Sequence, residues 1–140
     1  MKVLLAVDGS PYTKRMLAYL SAHDELLTGE VEFTVLNVVP GIPPHAARFL
    51  AEADLRDYYD SEAEAVLESI RAFVAQQGWR AEFRRAHGVP ADRIVELAQA
   101  GDFDLVVLGS HGHSALANVL LGSVATRVLA RCRVPILIIR

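Results

Sequence analysis

The 140-residue chain carries a single cysteine, Cys132, so it can form no internal disulfide, and this usage fits a reducing compartment. No apolar run approaches the ~20 residues of a membrane span. The first run, Val3 to Val7, follows one lysine and stops at Asp8, too short for the apolar core of a secretory signal. Basic residues form no cluster and the net charge is −3, which argues against nucleic acid as a partner. Internal repeats and low-complexity tracts are absent. What remains is ordinary globular composition, with 52% hydrophobic and 22% charged residues. The reading is one soluble, cytoplasmic domain over residues 1–140, long enough to bury a core.

Val3-Leu4-Leu5-Ala6-Val7 is continuously apolar, as expected of a parallel strand covered on both faces. After the turn at Asp8-Gly9, Ser10 is placed to cap a helix with Pro11 at its first position. Met16, Leu17, Leu20 and Leu27 recur at roughly helical spacing up to Gly29. A second strand is expected over Val31–Val39, a loop over Pro40–Pro44, and one helix from about His45 to Gln77, stopped by Gly78. Ala81–Ala86 is the most polar strand candidate, and Pro90 opens a helix to Ala100 with Ile94, Leu97 and Ala98 facing inward. Strands at Asp104–Leu108 and Ile136–Ile139 complete the alternation.

Strands alternating with helical segments imply βαβ units and a parallel sheet. The expected fold is a doubly wound, Rossmann-like α/β domain with a five-stranded sheet of order 3-2-1-4-5 and helices on both faces. That order puts the polar third strand, with Glu82, Arg84 and Arg85, at one edge, and the apolar Ile136-Leu137-Ile138-Ile139 at the other.

The most informative stretch follows the fourth strand, running from Gly109 through Gly112 to Gly122 and Ser123. Ser123 reads as the N-cap of a helix to about Arg131, and Ser114 as the cap of a short helical turn through Leu121. Glycines let another group approach the backbone and tolerate positive φ. A glycine loop opening onto a helix N-terminus supplies free N–H groups and partial positive charge, the usual setting for phosphate. Neither Walker A, which needs a lysine absent here, nor the dinucleotide fingerprint fits the spacing Gly-x2-Gly-x9-Gly-Ser. A plain glycine-hinged connection stays open on spacing alone.

Topology adds a second argument. In an open α/β sheet, ligands bind beyond the strand carboxyl ends where strand order reverses. That point lies between the first strand, ending at Asp8, and the fourth, followed by Gly109. Backbone N–H groups of Gly112, Gly122, Ser123 and Val124 would hold phosphate oxygens, with the Ser123 hydroxyl as a further donor. Asp8 has two open roles, accepting from ribose or an adenine amino group, or capping the turn at Gly9-Ser10. Val38 lines an apolar slot for the base or is plain core. For His111 and His113 three roles stay open: phosphate contact, metal ligand, or solvated loop residue. His111 is placed with the nucleotide-binding residues, and no metal site is assigned.

At these positions the chain resembles the ATP-binding branch of the universal stress protein family, whose Gly-x2-Gly-x9-Gly-[Ser/Thr] motif follows its fourth strand. The resemblance extends to Val7-Asp8-Gly9-Ser10, Gly88-Val89-Pro90-Ala91 and Val134–Ile139. It implies that Ala6, Asp8, Val38, Leu108, Gly109, Gly112, Gly122, Ser123 and Val124 lie around bound ATP; Mg²⁺ or Mn²⁺ is expected to be carried on the phosphates. Two positions depart from the pattern. Asn37 stands where many members have His, and His113 where Lys or Arg is frequent, a change that would weaken a phosphate contact or make it pH-dependent near neutrality.

The expected function is a stress-response or regulatory protein that holds ATP. An ATPase or phosphotransferase is the alternative, disfavoured because no Lys, Arg, Asp or Glu lies between Gly109 and Ser123. A ligand-free interaction protein ranks third. The bare apolar edge at Ile136, Leu137, Ile138 and Ile139 is expected to pair with its own copy in a homodimer, a contact that the resemblance also implies.

Overall fold

A computed structural model describes every residue except residue 28 and residues 114–119. The strands are β1 (Lys2–Val7), β2 (Glu32–Pro40), β3 (Arg80–Gly88), β4 (Leu105–Gly109) and β5 (Ile136–Ile139). The helices are α1 (Pro11–Ala22), α2 (Pro44–Ala47), α3 (Glu52–Gln77), α4 (Pro90–Ala100) and α5 (Ser123–Arg131). All strand pairings are parallel, as the alternation of apolar runs and helices predicts, and the sheet order is β3-β2-β1-β4-β5, the one expected of the two common doubly wound orders.

Strand pleating divides the core in two. Val3, Leu5 and Val7 of β1 and Phe33 and Val35 of β2 pack against Met16, Leu17 and Leu20 of α1 and Leu67, Ile70 and Val74 of α3. Leu4, Leu36, Val38, Val106 and Leu108 face Ile94, Val95 and Ala98 of α4 and Ala125 and Val128 of α5. Each of the larger of these side chains contributes about 1.5–3 kcal/mol on leaving water, the alanines less. With both faces covered, β1 and β4 can be almost wholly apolar, while β3 alternates half-buried and exposed positions at its edge. Among the described residues no helix is long and apolar enough to cross a membrane.

Several boundaries differ from expectation. The expected helix from His45 to Gln77 is two helices, because Ala51 adopts an extended conformation (φ −68°, ψ 152°) and starts α3 afresh, with Glu52 and Asp54 in its first turn. Those carboxylates complement the positive end of the helix dipole. The first helix ends at Ala22 rather than at Gly29. His23 folds its Nδ1 onto the Tyr19 carbonyl (2.9 Å) and stacks on the Tyr19 ring, and a 3-10 turn over Asp24–Leu26 follows. Asp104 lies just outside β4, where its Oδ2 accepts from the Lys2 N–H at 2.7 Å. The helical turn expected from Ser114 lies outside the described residues.

Candidate functional site

The carboxyl end of β1 turns sharply. Gly9 has φ +74°, and an added Cβ there would touch Val66 of α3 at 3.4 Å. Ser10 caps α1 as predicted, its side chain accepting from the Thr13 N–H at 3.4 Å. Asp8 is held in the same turn. Its Oδ1 accepts from the Ser10 N–H and from the Thr13 hydroxyl, both at 2.9 Å, while Thr13 Oγ1 accepts from the Asp8 N–H at 3.0 Å. The turn-capping role of Asp8 is therefore real, and it occupies one carboxylate oxygen. The other, Oδ2, lies against Gly112, where an added Cβ would sit 2.6 Å away.

The segment after β4 folds back over this turn. His113 donates from Nε2 to the Asp8 carbonyl at 2.6 Å, which fixes that nitrogen as the protonated one. The His111 ring packs on Tyr12 at 5.1 Å, with Nδ1 3.0 Å from the Ser110 hydroxyl. These contacts give the two rings a role not among the three left open by the sequence: His113 through the Asp8 carbonyl and His111 through the Tyr12 ring hold the segment against the β1–α1 turn.

The three glycines of the motif work through close approach. None has positive φ, contrary to the conformational freedom invoked for them from sequence. An added Cβ would lie 2.7 Å from Tyr12 Cβ at Gly109, and at Gly122 it would lie 3.1 Å from His111 Cα and 3.2 Å from the Ser110 oxygen. Gly122 also donates its N–H to that same oxygen at 2.7 Å.

Ser123 is not the N-cap that the sequence suggests. Gly122 takes that position (φ −65°, ψ 164°), and its carbonyl accepts from the Thr126 N–H at 3.0 Å. Ser123 is the first helical residue, and Gly122, having no side chain, leaves α5 without the side-chain cap that Ser123 would have supplied. The backbone N–H groups of Ser123, Val124 and Ala125 thus keep the unsatisfied character of a helix start, together with its partial positive charge.

These parts border one cleft of about 830 Å³ at the point where strand order reverses. All ten residues singled out from sequence line it: Ala6, Asp8, Val38, Leu108, Gly109, His111, Gly112, Gly122, Ser123 and Val124. The volume suits a small-molecule ligand. One arm, on the α4 and α5 side, is apolar, with Val38, Ile94 and Leu108. The other, under α3, is lined by Thr13, Asn37, Glu62 and Val66. Sequence reasoning missed this second arm. Glu62 and Val66 are one helical turn apart on α3, so their spacing shows a shared face but not what that face meets. Among the described residues no lysine or arginine lines the cleft.

Comparison with known proteins agrees with this architecture. The model of the universal stress protein family matches residues 1–140. Universal stress protein YxiE of Bacillus subtilis is 30% identical over 147 residues, covering 99% of this chain and 98% of its own. Universal stress protein MJ0531 of Methanocaldococcus jannaschii is 28% identical, covering 99% and 81%. Among solved structures, hypothetical protein MJ0577 superposes with a TM-score of 0.83 at 27% identity, covering 99% of this chain and 94% of its own. Two others share the fold. The universal stress protein of Archaeoglobus fulgidus in complex with dAMP has TM-score 0.69 at 23% identity, covering 100% and 98%. The Arabidopsis thaliana protein with AMP bound has TM-score 0.69 at 20% identity, covering 99% and 90%. The chain belongs to the universal stress protein family.

Proposed function

We propose that this protein is a cytoplasmic regulator that binds ATP in the cleft between the ends of β1 and β4. The observation that carries this reading is the convergence of the glycine-capped N-terminus of α5, the close-packed glycine segment and Asp8 Oδ2 on one cleft. Helix-start N–H groups and the Ser123 hydroxyl suit phosphate oxygens. Asp8 Oδ2 suits a donor on ribose or base, and the apolar arm at Val38, Ile94 and Leu108 suits the flat face of a purine. Solved proteins of this fold carry AMP and dAMP, which supports an adenine nucleotide as the class of ligand. Mg²⁺ or Mn²⁺ would arrive on the phosphates.

The protein holds ATP rather than turning it over. Fast phosphoryl transfer needs cationic groups on the transferred phosphate and a positioned base, and no lysine or arginine among the described residues lines the cleft. The unpaired outer edge of β5 joins a second copy in a homodimer. Mass spectrometry of the nucleotide released on heating the purified protein tests the ligand. An adenine nucleotide is expected. Protein that carries none and shows no calorimetric response to added ATP would refute the reading.

A further inference from the structure

The arm of the cleft under α3 holds a polar atom that nothing in the fold satisfies. Asn37, near the carboxyl end of β2, is 3% exposed. Its Nδ2 donates to the Val7 carbonyl at 2.9 Å, which fixes the orientation of the amide. Its Oδ1 is buried without a hydrogen-bond partner and is the one such side-chain atom among the described residues. Buried acceptors are almost always paired, so an orphan at the wall of a ligand cleft calls for an explanation.

The other side chains lining this arm do not donate to it. The Thr13 hydroxyl gives its proton to Asp8 Oδ1. Val66 is apolar, and Glu62 brings a carboxylate, which accepts when ionised. This arm therefore presents unmatched acceptors, whereas the arm at Val38 and Ile94 presents apolar surface. Pleating accounts for the split: Asn37 and Val38 are consecutive in β2 and point to opposite faces of the sheet.

From this we infer that Asn37 is a specificity-determining residue of the cleft, its Oδ1 accepting a hydrogen bond, directly or through one water, from an N–H or O–H donor of the bound nucleotide. A nucleotide has two kinds of donor that could reach this arm, the ribose hydroxyls and the exocyclic amino group of adenine. Guanine carries an oxygen at the corresponding ring position and would set acceptor against acceptor. A polar site left unpaired by an analogue rejects it strongly. The inference rests on the nucleotide reading above.

The test is a calorimetric affinity panel on the whole chain, using ATP, its 6-deamino analogue, 2′-deoxy-ATP and 3′-deoxy-ATP. Wild-type protein is expected to lose about tenfold in affinity for at least one analogue, and the analogue that loses names the donor. Asn37→Leu removes the acceptor at similar volume and should bind that analogue and ATP alike. Asn37→His can donate to the Val7 carbonyl from one ring nitrogen and accept at the other, so it should restore the discrimination. If wild-type protein binds all four ligands within twofold, or Asn37→Leu keeps the wild-type pattern, the inference is wrong while the nucleotide reading stands. If ATP itself does not bind, both fall.

Discussion

Asp8 and Gly112 meet so closely that no side chain fits between them: a Cβ on Gly112 would lie 2.6 Å from Asp8 Oδ2. Asp8 cannot swing aside without cost, because its Oδ1 is committed to the Ser10 N–H and the Thr13 hydroxyl. The contact fixes the distance between the end of β1 and the segment after β4, and so the mouth of the cleft. Gly112→Ala is expected to destabilise the fold by about 1–3 kcal/mol, the usual range for overpacking, and to weaken nucleotide binding in parallel. Urea unfolding and calorimetry on the same sample check both. An unchanged midpoint with unchanged affinity would show that the segment relaxes freely.

A surface pair gives a pH dependence of known sign. The hydrogen bond from Arg71, at 2.5 Å, and the nearby charges of Arg71 and Arg85 hold the Glu64 carboxyl below its usual range. A carboxyl with a lowered folded-state value stabilises the protein above its unfolded value, and that stabilisation is lost as pH falls through the folded one. Glu64→Gln is therefore expected to be less stable than wild type at neutral pH and to converge with it in acid. The pair is solvent-exposed, so added salt should shrink the difference. Thermal melts across pH at two salt concentrations test this, and a gap that widens toward low pH would contradict it.

Assembly is testable at β5. The strand pairs with β4 on one side only, while its side chains, from Ile136 to Ile139, divide between the two cores. What it offers a partner is the unpaired backbone of its outer edge. Sedimentation is expected to show a dimer of the 15.3 kDa chain at micromolar concentration. Ile138→Pro, which disturbs the ladder, should shift it to monomer. A wild-type monomer that stays monomeric on tenfold concentration would rule the β5 contact out.

Much of this fold is readable from residues alone. Val3–Val7, Asp104–Leu108 and Ile136–Ile139 are short, largely apolar runs between turn signals, and their length and flanking residues favour buried parallel strands over helix. Topology then brings Asp8 and the glycine motif together without any knowledge of contacts. What could not be read depends on tertiary packing. The break at Ala51 falls in a segment whose composition favours helix throughout. Ser123 is a better intrinsic cap than Gly122, yet Gly122, held to the Ser110 oxygen through its N–H, takes the cap position and the helix starts one residue earlier. The orphan Oδ1 of Asn37 emerges only when every donor around it is accounted for.

Among the described residues no lysine or arginine lines the cleft, which predicts slow chemistry. ATP hydrolysis by purified protein with Mg²⁺ should fall well below the ordinary enzyme range of roughly 1–1000 s⁻¹. A rate inside that range would make the protein an enzyme and would require a phosphate-binding lysine or arginine that the described part of the cleft does not display.

The most direct test of the central claim is calorimetric titration of ATP into wild-type protein and into Gly122→Val. Gly122 packs on the His111 backbone and the Ser110 oxygen and forms the N-cap of α5. A valine there must push the segment off the helix start that is to hold the phosphates. The account predicts saturable binding to wild type and at least a tenfold loss in the variant, with the variant still folded by circular dichroism. Equal ATP affinity for the two proteins would contradict it.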